Sequence, residues 1–222
     1  MSKPARKIPK SYTNVTGRMA KRDGGRVAFE SLLEKDFFML LDADPQVREF
    51  REQPLEISYR DQQGTTRKYF PDVLVMRHAP GETWLCEVKP RRQIARKWAE
   101  LKPKFKAAIR YCKARGWRFR ILTEKEIRTP YLENIRFLRG YLRVPDRPQL
   151  EDALRAKLNS MGEATPFELL SSLSDDEWVR ADYATSLWRL VATGDITVDL
   201  TTKIDTDTVL RPAVRGDQTH HA

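Results

Sequence analysis

Two apolar runs dominate residues 69–90, YFPDVLVMRHAPGETWLCEVKP, and both end in charge. VLVM and WLCEV flank Ala79, Pro80 and Gly81, residues with the chemistry of a turn that folds one strand back on the next. Within a strand, residues two apart share a face, so Glu87 and Lys89 point the same way while Val88 points into the core. Asp72 follows Pro71, where a strand edge or bulge is expected. If the two runs pair through the turn, Asp72 lies beside Glu87. Buried strands that end in two carboxylates and an ammonium need a reason for them, because an unpaired buried charge is costly.

The rest of the chain sets these strands in an α/β frame. Residues 1–26 read as a basic flexible arm, rich in Lys, Arg, Gly, Ser and Thr. Residues 28–42 read as a helix, with Phe29, Leu33, Phe37, Leu40 and Leu41 at helical spacing and Asp44-Pro45 as its stop. LEISYR (55–60) reads as a strand, Gln63-Gly64 as a hairpin turn, and 67–77 as one continuous strand. Residues 92–116 are helical, with Trp98, Leu101, Phe105, Ala108, Ile109 and Cys112 on one face and a kink or break expected at Pro103. Residues 117–123 alternate as a strand, and a helix starts near Pro130. A three-strand meander, a helix and a returning strand make an α/β sandwich over residues 27–142. After a linker at 143–149, residues 150–210 carry three short helices and two strands, the order of a winged helix-turn-helix, and 211–222 form a tail.

Charge divides the chain. Residues 1–150 hold 34 Lys and Arg against 18 Asp and Glu, and residues 151–222 hold 7 against 13. A basic body suits phosphate contacts with nucleic acid, and an acidic end suits a protein partner. The basic residues are equally compatible with ordinary solubilising charge. No run of 18 apolar residues exists, so no membrane span is expected. The N-terminus lacks an apolar signal core, and Cys86 and Cys112 lack metal-type spacing. Reduced core thiols in a cytoplasmic protein are expected.

Asp72, Glu87 and Lys89 together form a hard, oxygen-rich constellation suited to Mg2+, with Mn2+ as a substitute. A phosphodiester needs its charge offset and a water activated, and a metal held by Asp72 and Glu87 beside Lys89 would do both. Glu34, with Phe37, Phe38 and Leu41 at helical spacing, is a further candidate ligand for a two-ion site, and Glu30 is its alternative. Arg91, Arg92, Arg96, Lys97, Lys102, Lys104 and Lys106 form a basic helix face that reads as a phosphate track or as a solvated surface. The bland alternatives are equally concrete: Asp72 as the cap of a bulge, and Glu87 with Lys89 as a structural ion pair. The three His give no triad and no Gly-rich phosphate loop exists, so serine-hydrolase, zinc and NTPase chemistries are not expected.

FESLLEKDFFMLLDADPQVREFREQP, YFPDVLV, LCEVKP and GWRFRILTEKEIRTPYLENIRFL, in that order, resemble the TnsA endonuclease subunits of heteromeric cut-and-paste transposases. The resemblance covers most of residues 26–140 and is looser over 150–210. It implies a restriction-endonuclease-like catalytic domain followed by a small winged-helix-like domain. It places the family's motif residues at Glu34, Asp72, Glu87 and Lys89, with Glu34, Asp72 and Glu87 as metal ligands. The prototype of the family has Gln at the position of Glu87, and the carboxylate here should strengthen metal binding. The chain is also short for the family, so peripheral contacts of its tail are expected to be missing. The resemblance further implies cleavage of the 5′ strand at transposon ends. It implies as partners a DDE-type transposase subunit, TnsB-like, and an AAA+ ATPase regulator, TnsC-like, which contacts the C-terminal domain. A stand-alone restriction or repair nuclease and a non-catalytic DNA-binding assembly factor are the alternatives.

Overall fold

The computed structural model describes residues 15–79 and 82–213. Residues 1–14 of the expected arm, Pro80 and Gly81 of the expected turn, and residues 214–222 of the expected tail lie outside them. The chain divides into two compact units, residues 1–128 and 129–222.

The described part of the first unit begins with a hairpin over the last residues of the expected arm: β1 (Gly17–Ala20) pairs antiparallel with β2 (Arg26–Phe29). Gly24, at φ 81, makes the tight return that a residue with a Cβ resists. This pairing takes Phe29 out of the expected helix, so α1 spans Leu32–Ala43. Ser31 caps it by accepting the Glu34 N–H, and Leu33, Phe37, Phe38 and Leu41 are buried, whereas Leu40 is only half-buried.

The central sheet has the order β3 (Val47–Glu52), β6 (Val73–Arg77), β7 (Thr83–Val88), β8 (Arg118–Leu122). The first three pair antiparallel and β8 runs parallel to β7. The expected meander is corrected in two ways. The strand expected over 67–77 is two strands, because Pro71 has no N–H to continue a ladder. Its first half, β5 (Thr66–Tyr69), pairs with β4 (Ile57–Arg60) in a separate hairpin. That hairpin turns at Gly64, with Asp61 accepting the N–H groups of Gln63 and Thr65. The place next to β6 goes to β3, whose four charged residues in six hid it from hydrophobic patterning.

A parallel pair needs a crossover, and α2 (Arg91–Arg96) and α3 (Trp98–Lys113) supply it. The break falls at Lys97, not at the expected Pro103, which sits inside α3. Pro103 has no N–H for the Ala99 carbonyl four residues back, and that oxygen instead accepts from Gln62 Nε2 at 2.6 Å. Ala108 and Cys112 are buried against the sheet and the β4–β5 hairpin, Leu101 and Phe105 are buried as well, with Phe105 against Phe119 of β8, but Trp98 and Ile109 are exposed. Cys86 and Cys112 are free and buried, and burial pushes both thiols up, to about 12 and about 11. A one-turn helix, α4 (Glu124–Ile127), begins at a capping box made by Thr123 and Glu126.

The second unit starts at α5 (Pro130–Tyr141), earlier than the boundary at 142 expected from sequence. Leu138 of α5 belongs to the core formed by Leu154 and Leu158 of α6 (Pro148–Met161), Leu169 of α7 (Pro166–Ser171), Leu187 and Leu190 of α8 (Glu177–Thr193), Ile196 and Leu210. Buried Asn134 donates to the carbonyls of Leu200 and Thr202 and accepts from Ile204 N. The expected linker is tied down as well: Arg189 donates to the Val144 carbonyl and to the buried Glu151. Two short strands, β9 (Ile196–Thr197) and β10 (Arg211–Pro212), pair antiparallel, and Ala164 bridges to Leu210. No helix among the described residues is long and apolar enough to cross a membrane.

Candidate active site

The site lies where the first unit's strands end. One step past the β6–β7 register, which ends at Val73 opposite Cys86, Asp72 comes opposite Glu87. Asp72 Oδ2 accepts the Val88 N–H at 2.6 Å, so the carboxylate reaches across to the neighbouring strand. Glu87 is 1% exposed. Its Oε1 meets two ammonium groups, Lys89 Nζ at 3.0 Å and Lys104 Nζ at 3.1 Å, and its Oε2 accepts from Tyr69 Oη at 2.7 Å.

Glu34 is brought to the same neighbourhood from α1. Its carboxylate accepts from Ser31 Oγ and from the Glu30 N–H, both at 2.9 Å, so it completes the helix N-terminus. Burial pushes its carboxyl up, against those hydrogen bonds, and the Glu30 charge adds to the rise. Asp72 stands well above the usual carboxylate range. Burial is the first cause, and the charges of Glu87 and Glu34 add to it against the opposing pull of Lys89. Burial also opposes ionisation of Glu87, but Lys89, Lys104 and the Tyr69 hydroxyl prevail and hold it below that range. Burial disfavours the Lys89 cation too, yet Glu87, Asp72 and Glu34 keep it protonated above its ordinary value. Burial and the Glu87 charge raise the Tyr69 hydroxyl, which therefore stays a donor.

All four residues singled out in the sequence thus share one electrostatic neighbourhood. Among the described residues no three Asp, Glu, His or Cys side chains stand converged as a finished metal cage. The basic face divides. Arg91, Arg92, Arg96 and Lys102 are exposed and Lys97 is half-buried. Lys104 leaves the track, with its ammonium on Glu87 and over the Tyr69 ring. Its role was readable from spacing: Leu101, Lys104, Phe105 and Ala108 fall on one helical face, and an ammonium on a buried face needs a counter-charge. Tyr69 had no such signal, because its partner lies 18 residues away across the site. Gln53 was also missed. Its N–H donates to the Asp72 carbonyl at 2.8 Å, and it is buried.

A mixed sheet with buried carboxylates and a lysine gathered at its strand ends is an arrangement compatible with phosphodiester cleavage, and similarity to known proteins gives the class. The chain matches two adjoining family descriptions, "TnsA-like endonuclease N terminal" over residues 44–124 and "TnsA endonuclease C terminal" over residues 126–200. It belongs to the TnsA-like endonucleases and is a DNA endonuclease, a phosphodiester hydrolase. It is also similar to the head completion nuclease of Enterobacteria phage T4, at 28% identity over 142 residues, covering 54% of this chain and 91% of the phage protein.

Proposed function

We propose that this chain is the Mg2+-dependent endonuclease subunit of a heteromeric transposase, cutting the 5′, non-transferred strand at transposon ends. One observation carries the reading: Asp72 and Glu87 stand on one rung of adjacent strands with Lys89 on Glu87, and burial, with the charges of Glu87 and Glu34 added to it, holds Asp72 well above its normal range. A divalent cation offsets that repulsion, and hard carboxylate oxygens suit Mg2+ or Mn2+. Asp72 and Glu87 would hold the metal, with Glu34 as a further ligand for one or two ions. When bound, the metal supplies positive charge to the phosphoryl oxygen and acidifies a water. Lys89, protonated and oriented by Glu87, offsets charge that develops on the phosphodiester during cleavage. Tyr69 and Lys104 fix the Glu87 carboxylate, so that the strand-end geometry is set before substrate arrives.

Arg91, Arg92, Arg96, Lys97 and Lys102 follow directly on this site and are proposed to track the DNA backbone. Phosphate contacts give affinity without sequence choice. Removing Arg92 and Arg96 together is expected to weaken duplex binding uniformly across sequences. The slope of log affinity against log salt should become shallower by about 1.8, two phosphates' worth. Fluorescence anisotropy over a salt series measures it, and an unchanged slope would leave these residues as solvated surface.

The second unit is proposed to be winged-helix-like and to bind a protein partner, an AAA+ ATPase regulator. The run α6, α7, α8, then the paired β9 and β10 with Ala164 bridging to Leu210, supports the first point. The acidic excess of residues 151–222 supports the second. End recognition would then fall to a DDE-type transposase subunit. The similarity to a phage nuclease favours a second reading, a nuclease that acts without a transposase. The test incubates the purified protein with Mg2+ and a plasmid carrying the transposon ends, with and without the DDE-type subunit, and maps the breaks. End-specific 5′-strand cuts are expected only with the partner. End-specific cutting by the protein alone selects the second reading.

A further inference from the structure

Gln53 combines two features that a protein does not keep for packing alone. It is the non-glycine residue with left-handed backbone among those described, at φ 39. It is also 5% exposed, and its side-chain Oε1 is buried with no hydrogen-bond partner. Strained backbone and orphaned buried polar atoms both mark sites where function overrides stability.

The backbone of Gln53 stands beside the candidate site. β3 and β6 pair through Glu52 opposite Val73, and the Gln53 N–H to Asp72 carbonyl bond, at 2.8 Å, adds one rung. On the other side of β6, that same rung continues to Glu87, and Val88 N–H holds the Asp72 carboxylate. Gln53, Asp72 and Glu87 therefore lie along one rung across three adjacent strands, with the backbone of Gln53 fixing the backbone of Asp72. An amide side chain brings a hard carbonyl oxygen without adding a fourth negative charge to Glu34, Asp72 and Glu87.

We propose that Gln53 is a positioning residue of the cleavage site, whose Oε1 accepts a hydrogen bond from a water of the divalent cation bound at Asp72 and Glu87. The proposal rests on the metal-dependent nuclease reading above. Partners of this kind orient metal ligands and waters, and their loss costs about 10–100-fold in metal affinity or activity.

The test measures Mn2+ binding to the full chain by the loss of the free-ion electron paramagnetic resonance signal, with thermal melts of the same samples. Gln53→Met keeps the side-chain volume and removes the oxygen. It is expected to weaken Mn2+ binding about tenfold while the melting temperature holds or rises, because an unpaired buried oxygen is gone. Gln53→Glu keeps an oxygen acceptor and is expected to bind Mn2+ at least as tightly as the wild type. It guards against the Met variant failing to fold. Asp72→Asn separates the two levels of the argument, since it should abolish Mn2+ binding. If it does, and Gln53→Met binds Mn2+ and cleaves like the wild type, or Gln53→Glu binds more weakly, the role of Gln53 is overturned and the metal site stands. If Asp72→Asn binds Mn2+ like the wild type, the metal-site reading falls and takes the Gln53 proposal with it.

Discussion

Asp72→Asn is expected to lower strand cleavage on the order of a thousandfold, because on the proposed reading a divalent cation would lose a charged ligand, and at the same time to stabilise the fold. The gain follows from the direction of the Asp72 shift. Its carboxyl is held well above the ordinary range by burial and by the charges of Glu87 and Glu34. An acid with a raised pKa in the folded state destabilises that state wherever the unfolded chain would be ionised. The penalty is absent in acid below the ordinary carboxylate range, grows as pH rises through it, and is complete above the folded-state pKa. Asn keeps an oxygen to accept the Val88 N–H and carries no charge. Urea denaturation at neutral pH should therefore show Asp72→Asn the more stable, and the advantage should disappear in acid. A variant that cleaves normally would remove Asp72 from the active site.

Glu87→Gln should lose cleavage to a similar degree but with the opposite effect on stability. Glu87 is the counter-charge of Lys89 and Lys104, whose side chains are only 19% and 18% exposed. Removing one member of a buried charge network leaves the others unpaired and costs about 3–5 kcal/mol, toward the lower figure here because both ammonium groups can shift toward water. The pH dependence inverts as well. Glu87 is held below the ordinary range, so its contribution is present at neutral pH and lost as pH falls through its folded-state value. Lys104→Met in the Glu87→Gln background should restore part of the loss, since it removes one stranded cation. Denaturation of the two single variants and the double variant measures the coupling. If the double variant loses the sum of the two single losses, Lys104 and Glu87 do not act as a pair. The two carboxylates face each other across β6 and β7, yet one costs stability and the other supplies it. The difference lies in their partners: Asp72 has one N–H, two carboxylate neighbours and only the more distant pull of Lys89, whereas Glu87 has two ammoniums in direct contact and a phenol.

The local sequence carried much of this site. Proline before Asp72, and the two-residue spacing of Glu87 and Lys89, are backbone facts that hold in any strand, so these residues were legible without a fold. Helical spacing placed α1 and α3 and marked Glu34 as a glutamate amid apolar neighbours, and the resemblance to the TnsA family chose it over Glu30. Capping chemistry was readable too: Ser31 and Glu34, Thr123 and Glu126, and Thr165 and Glu168 each stand three apart at a helix start. What misled the reading was competition from distant partners. Phe29 fits the α1 periodicity but pairs with Gly17, and residues 67–77 read as one strand but divide at Pro71 between two sheets.

The sequence by itself determined that carboxylates and a lysine would stand at the ends of buried strands, because side-chain alternation is a local property. Only the tertiary structure decided what each of them is. β3, with charge at four of its six positions, becomes the neighbour of β6 because the sheet needs a partner there, and it brings Gln53 to the Asp72 backbone. Lys104 becomes a partner of Glu87 because the β7–β8 crossover lays α3 on the strands that carry it. Tyr69 reaches the same carboxylate from a separate hairpin. Charges and hydrogen bonds act through space, so whether a carboxylate is raised or lowered depends on groups that are near in the fold and far along the chain.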